Sequence, residues 1–267
     1  MNPVAQHTLV VVIPAYHPVP TPHESTALRS ICRVLKERTL VLITPDDLEI
    51  SPYTQIADEE GVQLQHKSFH RQYFVGLKGY NRLMLSEEFH RAWQDYEYFL
   101  IAQLDTYFFR DELDHWMDKG YDFVGPPITG HWRDTRMDIA TARIGNGGLS
   151  LRRTQAYLDF FEGKRPVFSL WTLLMNPKLL IRVVMERFSN SPKRFAYYFW
   201  QNEDTFWTII LRKSHYALRL PSPEEAMHFG FDRFPSTLYK VNGGLPMACH
   251  AWHKYEYESF WKPFITA

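Results

Sequence analysis

The chain has 267 residues, 45% hydrophobic and 22% charged, a composition that supports a large buried core and excludes a disordered chain. Thirty Lys and Arg balance thirty Asp and Glu, so phosphate neutralisation cannot drive general nucleic-acid binding, and nucleic acid is not an expected partner. Two cysteines, Cys32 and Cys249, stand far apart and outside any CxxC, which argues against a disulfide framework or zinc knuckle and fits a reducing, cytoplasmic compartment.

At the N-terminus the basic, apolar and small-residue order of a signal peptide is missing, and no apolar run reaches about 18 residues, so the protein is expected to be soluble or peripheral. Residues 8–13 are β-branched and aliphatic and read as a strand stopped by Pro14. Helical spacing through Leu28, Ile31, Val34 and Leu35 predicts a helix over 24–38, followed by a short strand at 40–43 and a third at 62–65. Residues 77–93 read as one long amphipathic helix feeding an apolar strand that begins at Tyr98. A strand at 121–124 runs into Gly125-Pro126-Pro127, residues 125–142 read as an active-site loop, and strand-like sequence resumes at Gly148. This alternation predicts an α/β fold with a parallel, right-handed sheet flanked by helices.

The segment 98–106 ends in a lone carboxylate, Asp105. Open α/β sheets bind ligands at the carboxyl ends of their strands, and an acid there can hold a hard divalent cation against a diphosphate; an Asp capping the next turn would look the same. Pro14-Ala15-Tyr16-His17-Pro18 follows the first strand, with neither GxGxxG nor GxxxxGK[ST], so a dinucleotide fingerprint and a P-loop are both missing there. What is left is a nucleotide site without a glycine cradle, neutralising its diphosphate through a metal. Aromatic residues form 16% of the chain, a surplus that suits core packing and also stacking on sugar or base rings.

Two further patterns carry two readings each. Asn146-Gly147-Gly148 permits close backbone approach beneath a bound ring, or a plain hairpin turn. Asn202-Glu203-Asp204 precedes an apolar run and should occupy the first turn of a helix, where acids cap the dipole or act on a substrate.

The ordered set Val12-Ile13-Pro14-Ala15-Tyr16, Gly79-Tyr80-Asn81, Gln103-Leu104-Asp105-Thr106, Asn146 to Arg152, Asn202-Glu203-Asp204 and Cys249-His250-Ala251-Trp252 resembles bacterial GT-A-type glycosyltransferases of surface-polysaccharide biosynthesis. The resemblance implies a GT-A-like, Rossmann-type α/β fold with a mixed, mainly parallel sheet flanked by helices. One domain over 1–267 would have a nucleotide-binding half at 1–125 and a donor-sugar and acceptor half at 126–267. Pro14, Ala15 and Tyr16 would pack on the nucleotide base, with Tyr80 and Asn81 beside them. Asp105 matches the last acid of the DxD motif and would bind Mn2+ or Mg2+ with His250, His253 being the competing choice. Gln103 replaces the first acid; its amide would hydrogen-bond ribose or phosphate but brings no charge. Gly147 and Gly148, after Asn146, would underlie the donor sugar. Asp204 would be the general base of an inverting transfer from a UDP-sugar to a glycan or lipid-linked glycan, and Glu203 would hold that acceptor.

Residues 160–200 carry no match. The stretch 170–200 reads as helical core packing, or as a basic, aromatic-rimmed surface lying on the cytoplasmic leaflet. Two other functions fit the residues: a metal-dependent hydrolase built on Asp105, His228, His250 and His253, and a non-catalytic carbohydrate-binding protein using the aromatics alone.

Overall fold

The computed structural model describes residues 7–128, 136–185 and 190–266. Its first half alternates strand and helix: β1 (Leu9–Pro14), α1 (Pro22–Val34), β2 (Thr39–Pro45), α2 (Ser51–Glu59), β3 (Gln65–Phe69), α3 (Gly76–Met84), α4 (Glu87–Arg91) and β4 (Tyr98–Ala102). Then come β5 (Thr106–Phe108), α5 (Leu113–Asp118), β6 (Phe123–Val124), β7 (Pro127–Ile128), β8 (Arg143–Ile144) and β9 (Leu149–Arg153). The remainder is α6 (Thr154–Glu162), α7 (Leu170–Leu174), α8 (Pro177–Met185), α9 (Pro192–Tyr198), α10 (Glu203–Thr208), α11 (Pro223–Phe229), β10 (Gly230–Phe231), α12 (Pro235–Asn242) and β11 (Ala248–His250).

Six strands form the main sheet in the order β3-β2-β1-β4-β9-β6. Strands β1 to β4 are mutually parallel where they pair, while β9 runs antiparallel to both β4 and β6. This is the mixed, mainly parallel α/β sheet expected from the sequence. Every residue of β1 is buried, as a strand covered on both faces requires. Its side chains divide by the period of two. Val10 and Val12 pack with Leu83, Phe89 and Trp207 on one face, whereas Val11 and Ile13 pack with Leu28, Ile31 and Trp116 on the other.

A second sheet decides where the chemistry lies. Strand β11 pairs parallel to β10 and antiparallel to β5, with His250 opposite Thr106 and Cys249 opposite Phe231. The residues following β4 and β10 are thereby gathered at the end of β11.

Several local expectations shift. The first helix starts earlier and ends at Val34: Thr21 and Glu24 close a reciprocal capping box, with Thr21 N donating to Glu24 Oε2 at 2.7 Å. The third strand is Gln65–Phe69, not 62–65, and four of its five residues are exposed; a polar edge strand carries no hydropathy signal. The long helix over 77–93 is two helices, because Ser86 Oγ accepts from Phe89 N and starts α4 anew. The strand at 121–124 contracts to Phe123–Val124. Within 125–142, β7 pairs β8 and residues 129–135 lie outside the described set. Residues 170–200 form α7 to α9 with only part of their apolar surface buried, and 186–189 again fall outside the description.

Candidate active site

Beyond Ala102 the chain turns sharply, Gln103 N donating to Gly148 O and Thr106 N to Gln103 O, each at 2.8 Å. Asp105 is thus set between β4 and β5, its main-chain oxygen accepting from Ala251 N at 2.8 Å. Its Oδ1 lies 3.1 Å from His250 Nε2 and its Oδ2 accepts from Lys254 Nζ at 2.8 Å. Asp232, just past β10, holds the opposite ring nitrogen of His250 at 3.0 Å.

These contacts fix the charges. Burial opposes an imidazolium, but Asp105 and then Asp232 outweigh it and raise His250 to about 10. Burial likewise opposes the Asp105 carboxylate, yet His250 and Lys254 hold it well below the usual range. With Asp232 fixing one ring nitrogen, the other faces Asp105 and the amide of Gln103, whose Oε1 is 3.4 Å away. A carboxylate that orients a histidine through its far nitrogen is the usual support of a metal-binding imidazole.

Gly148 has a steric reason to be glycine: a Cβ there would overlap His250 Nε2 and Gln103 Oε1. A Cβ at Gly147 would overlap Glu203 Oε1. Asn146 sits between with φ +65°, and its Oδ1 accepts from Gly148 N at 3.0 Å and Leu149 N at 3.2 Å. An Asn that bonds its own downstream backbone tolerates this left-handed conformation.

Two clefts open on either side of Gln103. One, of about 410 Å3, is lined by Pro14, Tyr16, His23, Asp105, His253 and Lys254. The other, of about 520 Å3, includes Asn81, Arg143, Asn146, Asp204, Arg233 and His250. Asp204 stands in the first turn of α10, accepting from Thr205 N at 2.6 Å and Asn146 N at 3.1 Å. These two bonds aim the carboxylate.

Some expected roles do not suit their surroundings. Ala15 is fully buried in the core, its N–H committed to Ile43 O, so its side chain reaches neither cleft. Glu203 presents no oxygen to an acceptor, because both are held by the fully buried Arg152 at 2.7 and 2.9 Å. Asn81 faces the larger cleft instead of lying beside Pro14 and Tyr16, and its Oδ1 accepts from Glu203 N at 3.0 Å, capping α10. Tyr80 does keep the company of Tyr16, edge-on at 6.1 Å. His253 is stacked on His23 at 4.9 Å, while His228 is exposed on α11. The four donors of the hydrolase reading therefore do not converge, and among the described residues no three His, Cys, Asp or Glu side chains are grouped to hold a metal ion.

Asp232, Lys254 and Arg152 escaped the sequence reading. Asp232 does share a signal with Asp105, an acid placed directly after a buried strand, but β10 has only two residues and is too short to show it.

A family model described as a protein of unknown function, DUF5672, matches residues 63–250. The chain belongs to this family. No curated protein matches it. The DUF5672 chain is similar in structure to the galactosyltransferase LgtC solved with donor and acceptor sugar analogues. That likeness has a TM-score of 0.51 and 11% identity, over 90% of this chain and 86% of that one. It is also similar to mouse xyloside xylosyltransferase 1 in its apo form, with a TM-score of 0.50 and 10% identity, over 91% and 97% of the two chains. The fold is that of the GT-A glycosyltransferases.

Proposed function

We propose that this protein is a glycosyltransferase that moves a sugar from a nucleotide diphosphate donor, a UDP-sugar, to a glycan hydroxyl. The observation that carries the reading is the convergence of Asp105 Oδ1 and His250 Nε2 beside Gln103, at the junction of the two clefts. Tyr16 and Pro14 offer an apolar ledge for the base in the smaller cleft, and the larger cleft takes the donor sugar and acceptor.

Asp105 Oδ1 and His250 Nε2 face each other at 3.1 Å beside the Gln103 amide oxygen; a cation entering there would displace the imidazolium proton, and carboxylate, neutral imidazole and amide oxygen form a donor set that fits Mn2+ or Mg2+. Two or three protein ligands suffice for a cation that binds together with substrate phosphates. Such a cation, when bound, supplies charge that favours departure of the diphosphate. Lys254, on the other oxygen of Asp105, adds a further positive group beside that position.

Asp204 is the general base. It takes the proton of the acceptor hydroxyl as the new oxygen–carbon bond forms at the anomeric centre, and the old bond breaks with its electron pair leaving on the diphosphate. Direct displacement inverts the anomeric centre. Arg152 and Glu203 act as a buried strut under Gly147, keeping the first turn of α10 against the Asn146 loop. The place in surface-polysaccharide synthesis rests on the resemblance of the six ordered segments.

The deciding experiment is incubation with a panel of UDP-hexoses, Mn2+ and oligosaccharide acceptors, with product anomers read by NMR. Acceptor-dependent UDP release that disappears in Asp204→Asn is the expected result. Glycan binding without UDP release from any donor would instead favour the carbohydrate-binding reading.

A further inference from the structure

The helices that follow α6 leave an unusual surface. On α7, Leu170 and Trp171 are each 72% exposed, and Leu174 and Met175 one turn later are 57% and 62% exposed. Their spacing places them along one side of the helix. Helix α8 packs against α7 and adds exposed Ile181 and Val184, and Tyr197, Tyr198 and Trp200 are exposed on and after α9. Scattered exposed apolar residues are ordinary, but a run of this kind marks an interaction surface.

Charge says what covers it. Residues 163–202 contain seven Lys and Arg and one acid, Glu186, in a chain whose total formal charge is zero. Among the described residues Lys164, Arg165, Lys178, Lys193 and Arg194 are exposed, in the same stretch of chain as the exposed apolar side chains. Beside α9 a groove of about 600 Å3 joins the two kinds, lined by Lys78, Arg82, Lys193, Val75, Tyr197 and one acid, Glu87, which pairs with Lys193. The Arg82 guanidinium lies over the Tyr197 ring at 4.8 Å. Exposed Trp, Tyr and Leu amid Lys and Arg is the composition of a segment that lies in the headgroup region of an anionic bilayer. No helix among the described residues is long and apolar enough to cross a membrane, so the contact would be peripheral.

We propose that the α7–α9 surface docks the protein on a bilayer carrying anionic phospholipid, its apolar side chains entering the interface and its cations facing the headgroup phosphates. The transfer reading places the acceptor on a glycan, and docking at a bilayer would bring the cleft to acceptors held there by lipid. The surface itself stands without that reading, since none of these side chains belongs to the Asp105 or Asp204 cluster.

Co-sedimentation with phosphatidylcholine vesicles, with and without phosphatidylglycerol, tests it without any donor or acceptor. The wild-type chain should sediment with the anionic vesicles at low salt, release as salt is raised, and ignore pure phosphatidylcholine. Trp171→Ser with Leu174→Ser should weaken sedimentation at least tenfold, and Lys193→Glu with Arg194→Glu should do the same. Circular dichroism must match the wild type, which exposed positions allow. Wild-type protein that stays in the supernatant at low salt overturns the proposal. So does unchanged sedimentation of both double variants, or self-association in light scattering that these substitutions abolish while no vesicle binds, which would make the surface an interface between two copies of this chain.

Discussion

His250 Nε2 stands 3.1 Å from Asp105 Oδ1 because β11 lies antiparallel against β5 with His250 opposite Thr106. The parallel pairing of β11 with β10 brings Asp232 to the far side of the ring. A carboxylate, an imidazole and a second carboxylate thus form a line that one short sheet holds in place.

If Asp105 and His250 seat a cation together with a diphosphate, metal and nucleotide should bind cooperatively. UDP with Mn2+ should raise the melting temperature well beyond the sum of the two shifts measured separately, since a ligand selecting the native state stabilises it in proportion to ln(1 + [L]/Kd). Asp105→Ala should abolish the excess. Additive shifts in the wild type, confirmed by calorimetry with EDTA, would remove the cation from donor binding.

Binding and chemistry should separate at Asp204. Asp204→Asn keeps one acceptor oxygen, enough for the N–H of Thr205 on Oδ1 but not also for that of Asn146 on Oδ2, so one bond to the loop is lost and UDP-sugar affinity should fall by no more than about tenfold. Turnover should fall by about a hundredfold or more, the scale of a positioned base. A variant with wild-type turnover would place the base elsewhere.

Glu203 offers a contrast. Removing one member of a buried ion pair leaves an uncompensated charge and typically costs about 3–5 kcal/mol. Glu203→Ala should therefore lower the urea midpoint strongly, and Arg152→Met combined with Glu203→Leu should recover much of the loss. An acceptor ligand would behave otherwise, with stability kept and acceptor KM raised.

The central strands were legible because β1, β2 and β4 are buried on both faces and write continuous apolar runs. The position of Asp105 just beyond β4 was legible for the same reason, as the first acid after such a run. Edge strand β3 was misplaced because its residues face water. The roles of Ala15 and Glu203 were misread because burial and the Arg152 pair arise from contacts between distant segments, and neither leaves a local pattern. Asp232 was missed because β10 is defined by its pairing with β11 and not by its own composition.

Buried His90 provides a test of the fold that is independent of the candidate site. Its ring stacks on Tyr157 at 4.8 Å and meets Trp207 edge-on at 5.5 Å. Nε2 donates to Met84 O at 3.0 Å, whereas Nδ1 is buried with no acceptor in reach. A second proton would have no partner, so burial, aided by the nearby Arg152 charge, lowers this histidine to about 3. The unfolded chain titrates near the ordinary value of about 6.5. Between these values the unfolded state binds the extra proton and the native state does not. The contribution is therefore fully present above pH 6.5 and is lost as pH falls toward 3, with a slope of at most about 1.4 kcal/mol per pH unit. His90→Phe should be less stable at pH 7.5, by about 1–3 kcal/mol for the lost bond to Met84, and should close that gap as the pH is lowered to 4.5. Urea midpoints of the two proteins at matched pH isolate this residue from the other titrating groups. A gap that stays constant from pH 7.5 to 4.5 would mean that His90 takes up its proton in the folded state.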